Sequence, residues 1–264
     1  MGNFFNLVQN ENMKIYRRVR TWVMLGILVV VNLLIPVLLS MADHGGSISI
    51  WDSVVMGTSF TFFLCTIFSV IVAADSVAGE FSWGTIKLLL IRPWSRSKIL
   101  LSKYVSVILF SLLCTLLLMA MSFLASSFFF SGNISGNTES GLFPHGANGF
   151  VYTLQYLLCQ YVNLFITVAI AFMLSTVFRA GGLAIGLALF IMFAKGIFTA
   201  LFNPERFAWA KYLFFTHMDL SGYLQTDVGP GGVSLGFALA VLAVYYIVFM
   251  AVSWYVFSKR DIAA

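Results

Sequence analysis

The sequence predicts an all-α polytopic membrane protein with six transmembrane helices, and three observations carry that prediction. Apolar runs of roughly twenty residues recur along the chain, almost free of charge and far longer than the alternating strands of a membrane barrel. Composition agrees: 60% of the 264 residues are hydrophobic and 27 are Phe, and the mean hydropathy of +0.95 exceeds that of a soluble domain. The basic residues, finally, collect in alternate connections between the apolar runs, as the positive-inside rule requires.

Taken in order, residues 1–21 read as an interfacial helix, with Phe4, Phe5, Leu7 and Val8 ahead of Glu11, Lys14, Arg17, Arg18 and Arg20. Spans are expected at 22–41, 53–74, 99–125, 151–178, 181–201 and 233–257. The first resembles a secretory signal only at Ser40-Met41-Ala42, and its apolar run is too long for one. It carries Asn32 and Pro36, a polar residue and a kink former that a neighbouring helix has to accommodate. The second span is rich in Thr58, Ser59, Thr61, Thr66 and Ser69; in the third, Ser102, Ser106, Ser111 and Thr115 are expected to bond back to their own helix. Residues 126–150 and 202–232 are expected outside the cell, the latter as short helices against the outer face. Twelve of the fifteen Lys and Arg fall in the N-terminal lead, the 75–103 stretch, the turn at Arg179 and the tail, which places both termini in the cytoplasm. Six of the ten acidic residues, Asp43, Asp52, Glu139, Glu205, Asp219 and Asp227, fall on the other side. The net charge of +5 is therefore a signal of topology, and nucleic acid is not an expected partner.

The stretch from Asp75 to Lys103 stands apart, with Asp75, Glu80, Lys87, Arg92, Arg96, Lys98 and Lys103 in a chain only 9% charged. Charges of that density predict a segment in water or at headgroups, and residues 75–98 are assigned to a cytoplasmic elbow. Between Ser82 and Ile91 the residues Trp83, Ile86, Leu89 and Leu90 recur at helical spacing, describing a short amphipathic helix that Pro93 ends. Ser95 is placed to cap the next helix. Such an elbow is either a basic loop held at lipid headgroups or a lever gripped by a soluble partner.

Glu80, Gly84-Thr85-x-Lys87 and Pro93-x-Ser95-Arg96 resemble the first cytoplasmic loop of the ABC transporter type 2 permease family. Asn10-Glu11 with Lys14 resembles the family's N-terminal interfacial helix, and Phe257-x-Lys259-Arg260-Asp261-Ile262 its usual ending; Ser102 before Lys103 departs from the Gly often found there. The resemblance implies that 1–264 is a single transmembrane permease domain in the bacterial cytoplasmic membrane. It implies pairing with a second permease, identical or homologous, and with two copies of a separate ABC ATPase that holds ATP and Mg. The coupling helix is then formed by Trp83, Gly84, Thr85, Ile86, Leu90, Arg92, Pro93, Ser95 and Arg96, with Glu80 and Lys87 presenting charge beside it. The implied cargo is amphipathic or hydrophobic, such as a toxic or antimicrobial peptide, an antibiotic or a lipid. The alternative is a membrane scaffold or sensor whose basic elbow binds lipid or a partner without transport.

No catalytic, cofactor or metal site is expected in this chain. Cys65, Cys114 and Cys159 lie in spans without ligand spacing and read as small buried hydrophobes, while His44, His145 and His217 read as solvated or interfacial. No Walker sequence is present, nor a nucleophile-base pair for an intramembrane enzyme. In the fifth span Gly182 and Gly186 form a small-xxx-small face for helix packing, either within one subunit or at a subunit interface. Lys195, read as the one cation inside a span, lies opposite Gly186 on a face with Ala188 and Ile191, about 21 Å along the helix. It either snorkels to the outer headgroups or faces a polar cavity, and the cavity is the expectation put to test.

Overall fold

The computed structural model describes residues 4–42, 48–85, 94–130, 148–226 and 228–259. They are helical, with no β-strand among the described residues. α1 spans Phe4–Tyr16, α2 Val19–Ala42, α3 Ile50–Ser82, α4 Arg96–Phe129, α5 Gly149–Val177, α6 Gly181–Leu201 and α7 Leu235–Lys259. Three 3-10 turns, Ala208–Tyr212, Phe214–His217 and Ser221–Leu224, connect α6 to α7. The six helices from α2 to α7 are each long and apolar enough to cross a membrane.

The bundle is built around α3, which packs against α2, α4, α5 and α6. Buried residues make up 61% of its apolar window, against 11% for α7, so α3 is the central strut and α7 lies at the periphery of the bundle. The reason is in its composition. Gly57, Thr61, Cys65, Ser69, Ala73 and Val77 recur every fourth residue and are buried, and small side chains let neighbouring backbones approach closely. The hydroxyls of Thr61 and Thr66 donate to Gly57 and Phe62 carbonyls one turn back, which removes the penalty of burying them. In α4 the Ser102, Ser106, Ser111 and Thr115 hydroxyls do the same, as the sequence predicts.

The helices are fastened to this strut and to one another by a few polar contacts. Asn32 Nδ2 of α2 donates to the Leu118 carbonyl of α4 at 2.8 Å, which is how the bundle accommodates a polar residue in its first span. Ser175 Oγ of α5 accepts from the Val77 and Ala78 amides of α3, both at 3.0 Å. Ser82 Oγ accepts from the Gly181 amide at 2.9 Å, and so ties the end of α3 to the start of α6. Arg96 Nη1 reaches the Ser258 carbonyl and joins the start of α4 to the end of α7. At the far end of the bundle the Trp51 ring lies between Phe123 of α4 and Phe150 of α5, with centroids 5.7 and 6.0 Å away.

Two sequence expectations are corrected here. The second span does not stop at Ala74: α3 continues unbroken to Ser82, taking in the first eight residues of the expected elbow. It also begins earlier, because Ser49 and Asp52 form a capping box that places Trp51 inside the helix rather than in a loop. Nor do the charges of the 75–103 stretch all lie in water. Asp75, Glu80 and Lys103 are buried, each with an oppositely charged partner in this chain. The short helix expected between Ser82 and Ile91 lies largely outside the described residues.

A Cβ built on Gly149 would lie 2.3 Å from Trp51 Cγ. Gly149→Ala is therefore expected to displace the indole and lower thermal stability in detergent by about 1–3 kcal/mol. Gly26→Ala, with open space at that position, serves as the neutral comparison. Equal unfolding temperatures for the two variants would refute the Trp51 lock.

Candidate functional site

One end of the bundle holds a closed ring of alternating charge. Lys14 Nζ of α1 lies 2.8 Å from Glu11 Oε1 and 2.9 Å from Glu80 Oε1 of α3. Lys103 Nζ of α4 lies 2.8 Å from Glu11 Oε2 and 3.1 Å from Glu80 Oε1. Each carboxylate thus meets both ammonium groups, and α1, α3 and α4 are joined through one set of contacts. The Lys103 side chain is 2% exposed, so its charge has to be balanced within the protein. Burial works against the ionised form of Glu11, but Lys103 and Lys14 outweigh it and hold the carboxyl below its ordinary value. Burial likewise works against the Lys14 ammonium, and Glu11 and Glu80 outweigh it and raise its value.

Beside the ring, Arg18 and Arg20 both donate to Asp75 Oδ2. Asp75 can occupy this position because Gly79 follows it by one turn: a Cβ there would come within 2.7 Å of Asp75 Oδ1. The Arg18 guanidinium also lies 4.5 Å from the Trp83 ring centroid, a cation-π contact at the end of α3. A chain of contacts therefore runs from the α1–α2 junction through Asp75 and Arg18 to Trp83.

Trp83 opens the loop that the sequence singles out, and it is 60% exposed. Gly84 has φ +69°, a left-handed conformation that closes a helix and that glycine adopts without strain. The following Thr85 hydroxyl donates to the Glu80 carboxylate. The spacing of Glu80, Gly84 and Thr85 is thus that of a self-bracing helix end. Glu80 is the correction: its carboxylate is turned inward onto Lys14, Lys103 and Thr85 and is not presented to a partner. Ser95 sits at the N-cap of α4 as expected, though without a capping hydrogen bond from its side chain. Ile86, Lys87, Leu90, Arg92 and Pro93 lie outside the described residues.

A second polar site lies between α3, α5 and α6, toward the opposite end. Ser59, Thr66, Gln160, Asn163, Thr167 and Lys195 line a cleft of about 300 Å³, together with Phe62, Phe63, Met192 and Met218. Lys195 lies on the face of α6 that also carries the buried Ala184 and Ala188. It is not the one cation within a span, since Lys103 lies inside α4 and is more deeply buried. Gly182 and Gly186 do not pack a helix of this chain: both are exposed, and a Cβ on either would meet nothing within 4 Å. The small residues that pack α6 are Gly181, Ala184, Ala188 and Ala194 instead. His217 is also corrected, being fully buried with Nε2 2.7 Å from the Lys211 carbonyl. Cys65 and Cys114 are buried as expected, all three cysteines are free, and no group of metal-ligating side chains occurs among the described residues.

The ring has a defined pH response. A lowered Glu11 value means that its contribution to stability is complete above the ordinary Glu value of about 4.3 and disappears as pH falls through the folded value. The raised Lys14 value acts at the other extreme, with a contribution lost only as pH rises through it. Acidification below about pH 4 should therefore release α1 from α4, read as faster amide hydrogen exchange over residues 4–16. Lys103→Met should destabilise by about 3–5 kcal/mol, because it leaves two carboxylates short of a partner. Adding Glu11→Gln should recover part of that loss; strictly additive effects would dissolve the ring as a unit.

The chain is 33% identical to the uncharacterized protein YhcI of Bacillus subtilis (strain 168), over 98% of this chain and 99% of the relative. It is 25% identical to the uncharacterized membrane protein YdbK of the same organism, over 74% of this chain and 76% of the relative. With its apolar helices, the chain is a multi-pass membrane protein. The model of a family described as a protein of unknown function, DUF2705, matches residues 19–263, and the chain belongs to that family.

Proposed function

We propose that the chain is the membrane-embedded permease subunit of an ATP-driven exporter, working with a second permease and two separate ATPase subunits. In this reading the end bearing the charge ring faces the cytoplasm, in the orientation that the basic residues favour. The cargo is amphipathic or hydrophobic, an antimicrobial or toxic peptide, an antibiotic or a lipid. ATP and Mg bind to the partner ATPase.

The observation that carries this reading is the mounting of Trp83. A lever that transmits force has to present an apolar side chain outward and be rigidly fixed to the helices it moves. Trp83 is exposed, yet it is stacked under Arg18, which is in turn tied to Asp75 within α3. The next turn is braced by the Thr85 bond to Glu80, a member of the ring that also holds α1 and α4. Force applied at Trp83 would reach three helices through polar contacts that cannot slide as an apolar interface can. A loop held only at lipid headgroups would not need this bracing, which disfavours a scaffold or sensor without transport.

The test is purification of the full chain from its native membrane under mild detergent. An ATP-hydrolysing subunit should accompany it in equal number and be lost, with its hydrolysis, in the Trp83→Ala, Leu90→Ala double variant. Purification of the wild-type chain without any ATPase would overturn the exporter and favour the scaffold. Orientation is checked separately in intact cells, after Cys65, Cys114 and Cys159 are replaced. A membrane-impermeant thiol reagent should label Lys211→Cys and spare Arg179→Cys; the reverse pattern would invert the topology.

A further inference from the structure

The geometry points to the cleft between α3, α5 and α6 as a binding site for the anionic head of an amphiphile, a phosphate or carboxylate joined to an apolar chain. The ring at the other end of the bundle satisfies its own charges, but this cleft does not. Lys195 Nζ makes no hydrogen bond or ion pair among the described residues. The carboxylate whose field reaches it, Asp219, is exposed and accepts from the Ser221 amide and hydroxyl. An ammonium group within an apolar helix with no ion pair in contact and only an exposed carboxylate in reach is costly, and such residues mark pathways and ligand sites.

The lining is selective as well as polar. The hydroxyls of Ser59, Thr66 and Thr167 donate to carbonyls of their own helices, those of Val55, Phe62 and Asn163. The donors left for a ligand are the Lys195 ammonium and the amides of Asn163 and Gln160, the latter already giving one proton to the Tyr156 hydroxyl. Asn163 Oδ1 is itself buried and unpartnered, an acceptor that a water seated beside the ligand would satisfy by donating to it. A cation with amide donors around it selects an oxyanion.

Size and surroundings define the rest of the ligand. A volume of about 300 Å³ is at the lower limit for a small-molecule pocket and suits a head group rather than a whole cargo. Phe63, on the cleft wall, and Phe193 pack edge to face at 5.9 Å, and both are more than half exposed on the outer surface of lipid-length helices. They provide an apolar rim along which a hydrocarbon chain can lie. As a cargo site the cleft rests on the exporter reading above; as a binding site it does not.

The experiment accordingly uses the purified chain alone, in uncharged maltoside micelles, titrated with dodecyl phosphate, dodecanoate and dodecyltrimethylammonium. Both anions should bind and the cation should not. A preference for the phosphate would identify a phospholipid head as the source, and equal binding a cargo recognised by charge alone. Lys195→Met should weaken anion binding by about tenfold or more, as loss of a charged hydrogen bond does. Lys195→Arg should retain binding within about threefold, since its guanidinium carries the same charge and donates to oxyanions. Absence of anion binding to the wild type, equal affinity in wild type and Lys195→Met, or equal binding of the cationic probe would overturn the site. None of these outcomes depends on an ATPase, so failure of the exporter reading is seen separately.

Discussion

Four charged side chains, Glu11, Lys14, Glu80 and Lys103, are held in mutual contact between three helices at one end of the bundle, and the arrangement around them follows from that constraint. Removing any one leaves an unbalanced charge in a poorly solvated position, which is worse than having none of them. The ring therefore acts as a register pin. α1 has to lie along α4 with Glu11 facing Lys103, and α3 has to extend past its apolar segment far enough to bring Glu80 to the same point. The continuation of α3 to Ser82 has its physical reason here: the last turns of the helix carry Asp75 and Glu80 to their partners.

The two ends of the molecule use polar groups in opposite ways. At the ring, opposite charges are matched in number and the neighbouring Asp75 is shared by two arginines. The cavity between them is only about 30 Å³, about the room needed by a single water. At the Lys195 cleft the ammonium has no ion pair among the described residues and Asn163 Oδ1 is unpartnered, and the space is about 300 Å³. A saturated cluster gives rigidity and an unsaturated one has capacity to bind. Both lie along α3, whose buried row of small residues and hydroxyls connects them in one continuous helix.

The face of α6 bearing Gly182 and Gly186 shows that spacing alone does not say which small residues of an apolar helix pack within the chain. Small-xxx-small pairs occur on both sides of α6, since Gly181, Ala184 and Ala188 alternate with Gly182 and Gly186. Which pair packs within the chain depends on rotation of the helix about its axis, and that rotation is set by contacts from α3 and α5.

By itself the sequence determined the membrane-helical class and the six helices long and apolar enough to cross a bilayer, because chain length against bilayer thickness and the cost of exposed backbone leave few alternatives. It also marked the individual members of the site, since Glu80, Gly84, Thr85, Lys103 and Lys195 are conspicuous in so apolar a chain. Only the tertiary structure decided what those residues face. A charge read one residue at a time demands water or a headgroup, and that is where the sequence alone puts Asp75, Glu80 and Lys103. Their partners Arg18, Arg20, Glu11 and Lys14 are distant in sequence, and packing brings them within contact so that each charge solvates another. Pairing across helices is a property of three-dimensional register, which no local spacing encodes. The Lys195 ammonium, without an ion pair among the described residues, stands out only once the charges of the ring and Asp75 have been assigned their partners.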